Sequence, residues 1–232
     1  MNRMLRALQA VAPNLVPAGG WFLAGWEPST ALIVYWAENL IASLAIGIRI
    51  ALHRRLTRKR GHEGGFLVGF LGVALVFTLG HGLFLAVILF GVMDRAIDSG
   101  AAIAGIRWML LAQLVTLAVD LFFLRGWPFA EIRARTDWML GRVVMIHIVI
   151  LFGMFISAGN TPGILPVFIA LKTLTDITSL LPYYNPKNPP KWLARLANRF
   201  PKKGEKSFED YWRKERLSEA EKHQRDEESV PL

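Results

Sequence analysis

The sequence predicts an all-α, polytopic membrane protein with six transmembrane helices, both termini cytoplasmic and a charged cytosolic tail. Three observations carry that reading. Hydrophobic residues make up 53% of the 232 and charged residues 19%, with mean hydropathy +0.34, too apolar for a soluble domain of this length. The apolar residues gather into stretches of roughly 20, the length that crosses a bilayer core about 30 Å thick. The basic residues crowd into alternate connections between those stretches. The absence of cysteine removes disulfide scaffolds, thiolate zinc sites, iron–sulfur clusters and cysteine nucleophiles.

The first stretch, residues 4–25, is interrupted by Pro13, Pro17, Gly19 and Gly20 and carries Asn14 at its middle. Its rival reading is a cleaved signal peptide, because Arg3 and Arg6 precede an apolar run with small residues near Ala18. Internal prolines and an asparagine suit a broken transmembrane helix better than a signal core. The five remaining stretches are clear: residues 28–50, 65–93, 101–124, 138–158 and 162–181.

If all six cross, ten basic residues precede the tail on one side: Arg3, Arg6, Arg54, Arg55, Arg58, Lys59, Arg60, Arg125, Arg133 and Arg135. The opposite loops hold Arg95 alone. An excess of 27 Lys+Arg over 18 Asp+Glu is therefore topology before it is nucleic-acid binding, and no nucleic-acid partner is expected. Trp21 and Trp26 fall at the outer interface, and Trp127, Trp138, Tyr183 and Tyr184 at the inner one, as amphipathic rings prefer.

Residues 1–182 thus form the membrane domain and residues 183–232 a cytosolic tail. Asn185, Pro186, Pro189 and Pro190 stop the last span, and the tail carries 12 Lys+Arg and 9 Asp+Glu. Within residues 191–200, Trp192, Leu193, Leu196 and Phe200 oppose Lys191, Arg195 and Arg199, the pattern of a juxtamembrane helix on anionic lipid. Residues 206–228 read as a solvated helix or disorder, and the chain beyond about Glu205 as unnecessary for the membrane fold.

Charged groups inside a bilayer cost several kcal/mol each, so their depths carry information. Six helices place polar side chains near the bilayer centre: Asn14, the pair Glu38 and Asn39, His81, Gln113, His147 and Lys172. Two of them extend into one-sided stripes, Gln113, Thr116 and Asp120 on the fourth span and Lys172, Thr175, Asp176 and Ser179 on the sixth. Glu38, Asn39, His81, His147, Lys172, Asp176, Asn14, Gln113 and Asp120 are therefore the candidate pocket or proton-relay residues. Glu38, His81, His147 and Asp176 also form a possible ligand set for a divalent metal, and the two histidines for a haem.

Plainer readings stand beside these. Lys172 and Asp176 are one turn apart and can neutralise each other, and Arg142 can neutralise Asp120 or Asp176. A protonated Glu38 can bond to Asn39, and Asn14, Asn39 and Gln113 can act as interhelical glue. Gly69, Gly72, Gly80 and Gly82 read as close-packing positions around His81. The deep charges Glu38, Asp120 and Asp176 balance Arg107, Arg142 and Lys172, so a closed ion-pair network is electrostatically possible.

Asn14 with Pro17, the run Trp36-Ala37-Glu38-Asn39, the run His81-Gly82-Leu83-Phe84, Arg142 with His147, and Leu171-Lys172-Thr173 with Asp176 are met in this order along residues 10–181. In that arrangement the chain resembles an uncharacterised bacterial integral-membrane family catalogued only as a domain of unknown function. The resemblance implies a multi-helix protein of the bacterial inner membrane and supplies no activity. Residues 54–65 and the tail lie outside it.

Three functions follow as expectations: a small transporter or channel for an ion, proton or polar solute; a membrane-embedded metal- or haem-binding protein or metalloenzyme; and a structural or partner-binding membrane protein. The chain contains no G-x-S-x-G elbow, H-E-x-x-H helix, Walker loop or kinase signature, which argues against serine-hydrolase chemistry and autonomous ATP hydrolysis.

Overall fold

The computed structural model describes residues 14–87, 89–90, 97–157, 161–178, 188–199 and 207–230. For residues 145–157, 161–165, 167, 168 and 178 it describes the backbone alone. Residues 14–22 are helical and are called α1. The helices α2 (Pro28–Thr57), α3 (Phe66–Val87), α4 (Ser99–Phe123), α5 (Phe129–Ser157), α6 (Thr161–Thr178), α7 (Lys191–Ala197) and α8 (Phe208–Glu227) follow. Among the described residues the only β-type pairing is an isolated bridge between Lys59 and Ser229.

Local sequence explains the helix ends. Pro28 occupies the first turn of α2, where its missing N–H costs nothing. Asp98 caps α4 by accepting from the Ala101 amide at 2.9 Å, and Ser207 caps α8 by accepting from Asp210. The turn into α3 uses Gly64 and Gly65 at φ +70° and +80°, a backbone conformation that side chains resist. Two single-turn 3-10 segments, Arg60–His62 and Leu124–Gly126, complete the connections at this end of the bundle.

Contacts fix the helix directions. Val34 packs on Gly105 and Arg49 pairs with Asp120, the same offset in both places, so α2 and α4 run parallel. Trp36 packs on Gly82 and Leu71 on Gly47, so α3 runs antiparallel to α2. Glu38 meets Arg142 near the middle of α2 while Arg49 and Arg135 share Asp120 further along, which makes α5 antiparallel as well. The two named clusters of buried apolar side chains are one around Ile50, Phe70, Leu124, Trp127 and Met139 and a smaller one of Ala31, Tyr35 and Ile169.

The outside is more apolar than parts of the inside. Leu83 and Phe122 are 71% and 86% exposed, whereas Glu38 is 0% exposed. Water would penalise that distribution, and lipid favours it. Among the described residues three helices are long and apolar enough to cross a membrane: Pro28–Thr57, Phe66–Val87 and the continuous stretch Ser99–Gly126.

The helices outrun the apolar stretches at one end. Helix α2 continues seven residues past the expected limit at Ile50, and α5 begins at Phe129 rather than at Trp138. These extensions carry His53, Arg54, Arg55, Glu131, Arg133 and Arg135, which an apolar-length criterion discards although they suit a helix well. Residues 4–13 of the first expected span and Ser179 of the sixth lie outside the described residues.

Candidate functional site

Where α2, α5 and α6 converge, four charged side chains form one closed network. Arg142 Nη2 donates to Glu38 Oε1, and its Nε lies 3.2 Å from Asp176 Oδ1. Lys172 Nζ lies 3.1 Å from Glu38 and 2.9 Å from Asp176 Oδ2. Each carboxylate is shared by both cations. Asn14 of α1 completes the set: its amide nitrogen donates to Asp176 Oδ2 at 2.7 Å, and its oxygen accepts from Lys172 at 2.6 Å.

Helical periodicity supplies the geometry. Lys172 and Asp176 are one turn apart on α6, and Trp138 lies one turn before Arg142 on α5, its ring 5.7 Å from the guanidinium. Tyr35 precedes Glu38 by three residues on α2 and sets its ring 5.1 Å from Lys172 Nζ. All four charged side chains are at most 5% exposed. The quartet carries two positive and two negative charges, so its formal sum is zero. In so dry a place the charges are tolerable only because each is paired; removing one partner strands the rest.

A second network lies 11 residues further along α2, about 16 Å at 1.5 Å per residue. Arg49 Nε is 2.8 Å from Asp120 Oδ2, and Arg135 is 3.4 Å from the same oxygen. Arg135 also pairs with Glu131 at 3.1 Å and stacks its guanidinium 4.1 Å from the Trp127 ring centroid. Asp120 therefore belongs to this layer and not to the quartet, and Arg142 neutralises Asp176 and Glu38 instead of Asp120. Arg107 is exposed on the surface of α4, and Arg49 joins Arg142 and Lys172 among the buried cations. Eleven residues are three turns, so Arg49 shares the face of Glu38, a signal the sequence carried.

A third polar pair lies at the end of α2. His53 Nδ1 is 2.6 Å from His62 Nε2, and His53 Nε2 is 3.0 Å from the Trp127 carbonyl. A carbonyl only accepts, so His53 carries its proton on Nε2 and accepts on Nδ1 from His62 Nε2–H. That leaves His62 Nδ1 as a buried nitrogen with no hydrogen-bond partner among the described residues. Burial, then the His53 ring and Arg54, push the His62 imidazole from 6.5 down to about 4. Nothing in the periodicity marks these two residues, because the pairing depends on a turn between helices.

The other expected residues divide. Asn39 is buried beside Glu38, with its backbone carbonyl accepting from Ser43 and its side-chain oxygen without a hydrogen-bond partner among the described residues. His81 is buried on α3 at the level of Trp36, whose indole donates to the Thr78 carbonyl at 2.9 Å. Gln113 is half-buried on α4, and its carbonyl accepts from Thr116. The side chain of His147 lies outside the described residues, so the histidine-pair and haem expectations have no measured geometry. Among the described residues no group of three or more His, Asp or Glu side chains is arranged to hold a metal. Glu38 and Asp176, half of the expected ligand set, already bind cationic side chains.

The glycines around His81 do not act alike. A methyl group at Gly82 would sit 2.7 Å from the Trp36 indole nitrogen, whereas Gly69, Gly72 and Gly80 have nothing within 4 Å. Only Gly82 of the four is required by close packing.

Neither a curated protein nor a solved structure matches the chain. A family model does match, over residues 1–206, and that span takes in α1 to α7 and every member of the charged quartet. The chain therefore belongs to DUF6498, a family of unknown function.

Proposed function

We propose that the chain is a six-span protein of the bacterial inner membrane, with both termini cytoplasmic, in which the quartet Glu38, Arg142, Lys172 and Asp176 is the binding and coupling site for transport of an ion, proton or small polar solute. One observation carries this reading: two carboxylates and two cations from three helices, with Asn14 of a fourth, are held together in a dry interior. Apolar side chains would join those helices without the desolvation cost, and a buried ionic network is a poor source of net stability. A set of charges that can exchange partners suits a site that binds, releases or moves a proton. The first apolar stretch, which delivers Asn14 at the start of α1, carries Pro13, Pro17, Gly19 and Gly20, a composition that suits the broken helices shaping midplane sites in transporters.

A second reading rests on the closure of the network. Every charge in the quartet already has an opposite partner, so the same residues suit a structural role that fixes which helices pair.

Proteoliposomes separate the two. With an entrapped pH dye and an imposed potassium diffusion potential, a panel of amino acids, carboxylates, sugars and divalent ions is added in turn. Transport requires solute-dependent proton or solute flux above protein-free vesicles, abolished by Glu38→Gln and Asp176→Asn in protein that still purifies as a folded species. No flux with any solute, and variants that change thermal stability alone, would leave the structural reading.

A further inference from the structure

The acidic end of α8 folds back onto the turn between α2 and α3. Asp226 pairs with Arg133 at 2.9 Å, Glu227 with Lys59, and Glu228 with Arg60 at 2.7 Å. Glu227 also accepts from the Ala130 amide in the first turn of α5 at 3.1 Å. The backbone joins in, with Arg60 N donating to Glu228 O at 2.8 Å and Val230 N to Arg58 O at 3.0 Å. Three successive carboxylates are thus seated on a receptor made of three cations and an open helix end.

The receptor is larger than its occupant. Arg54 and Arg55 in the last turn of α2 and Arg58 at its end are exposed and make no ion pair among the described residues. Arg58 moreover closes α2 in the left-handed conformation, φ 50° and ψ 33°, a position that glycine fills without strain. An exposed arginine in that conformation, with no ion pair among the described residues, holds its charge ready for a ligand. The turn joins two apolar helices, so in a bilayer it lies at headgroup depth, where clustered arginines and lysines meet lipid phosphate.

We propose that the turn 54–60, with Arg133, is a binding site for the phosphate of anionic phospholipid headgroups, and that Asp226, Glu227 and Glu228 are a displaceable internal occupant of that site. The proposal rests on the membrane reading above and is independent of the transport reading. Charge complementarity selects the ligand: the seated groups are anions, and the unfilled remainder of the site is three arginines. The ion pairs suit exchange, since the Arg60 and Glu228 side chains are 44% and 53% exposed and such pairs are weak and salt-screened. Asn198 ties α7 to the start of α8, accepting from Phe208 N at 2.7 Å and donating to Glu209 at 3.1 Å.

The chain has no native cysteine, so spin labels at Ala134→Cys on α5 and Lys222→Cys on α8, both exposed, report the separation directly in the full-length protein. In nanodiscs of zwitterionic phosphatidylcholine a single short distance is expected. In discs containing phosphatidylglycerol that peak is lost to a broad, longer distribution. Replacing Arg54, Arg55 and Arg58 together by Gln restores the short distance in anionic discs. An unchanged distribution on going to anionic lipid, or a loss of the short peak that persists in the triple variant, overturns the proposal. Inorganic phosphate added to zwitterionic discs, against chloride at equal ionic strength, separates the sources: release by phosphate alone would assign the site to a free anion and overturn the lipid assignment.

Discussion

The guanidinium of Arg142 holds Asp176 through Nε at 3.2 Å while its other arm reaches Glu38, so one side chain ties α6 to α2. The network is neutral only as a whole. Removing a single member, as in Arg142→Met or Glu38→Gln, leaves an uncompensated charge in the interior and is expected to cost about 3–5 kcal/mol. The double variant Glu38→Gln with Arg142→Met keeps the neutral pair Lys172 and Asp176 and is expected to recover much of that loss. Thermal and denaturant unfolding in one detergent measure the cycle; strictly additive losses would show that the four charges do not act as a unit.

The second network predicts an asymmetry. Asp120 is 1% exposed and is shared by two arginines, one of them, Arg49, only 7% exposed. Asp120→Asn is therefore expected to destabilise by about 3–5 kcal/mol by stranding Arg49. Arg135 is 26% exposed and loses less, within about 1 kcal/mol for its ion pairs in Arg135→Gln. Equal losses from the two variants would argue that Arg135, not Arg49, is the main partner of Asp120.

Two neighbouring glycines provide a packing test. Gly82→Ala drives a methyl group against Trp36 and is expected to cost about 1–3 kcal/mol. Gly80→Ala meets open space and should be neutral, or stabilising by about 0.5–1 kcal/mol through helix propensity. Paired melting curves decide, and identical shifts would count against the α2–α3 contact.

The pH dependence of the turn follows from His62. Its folded-state pKa, about 4, lies below the unfolded 6.5, so the unfolded chain binds the proton first. The stabilisation is fully present above about pH 6.5 and is lost as pH falls toward 4. The groups facing the pair are His53 and Arg54 of α2, Lys59 of the turn and Glu227 of α8. Burial alone would raise the Glu227 carboxyl, but bonds from Lys59 and Ala130 hold it below the usual range, so its contribution is also lost on acidification. In His62→Gln the fall in Tm between pH 6.5 and 4.5 should shrink; an unchanged slope would assign the whole effect to the carboxylates.

Most of the quartet was legible because a charge in an apolar stretch announces itself: Glu38, Lys172 and Asp176 stand out, and Arg142 is the nearby cation. The helices were legible from apolar length. Their extensions, 51–57 of α2 and 129–137 of α5, were not, since residues such as His53 and Glu131 are accommodated in a helix yet leave no hydropathy signal. Asp120 also stands out as a charge in an apolar stretch, but depth along one helix does not say which neighbour lies beside it, and the structure pairs it with Arg49 and Arg135. Residues 206–228 read in sequence as a solvated helix or disorder because the ion pairs of α8 join residues 168 positions apart, Lys59 with Glu227 and Arg60 with Glu228, and only tertiary structure brings them together.

The division of the quartet between helices has an electrical consequence. Helix α6 carries Lys172 and Asp176, which sum to zero; α2 and α5 together carry Glu38 and Arg142, which also sum to zero. The seam between them is crossed by two ion pairs, Arg142 with Asp176 and Lys172 with Glu38, yet it separates two halves with no net charge on either. Sliding α6 along that seam would move no net charge through the membrane field, so the motion would be indifferent to membrane voltage. Protonating Asp176 alone would change that, giving α6 one positive charge and making its position responsive to the potential.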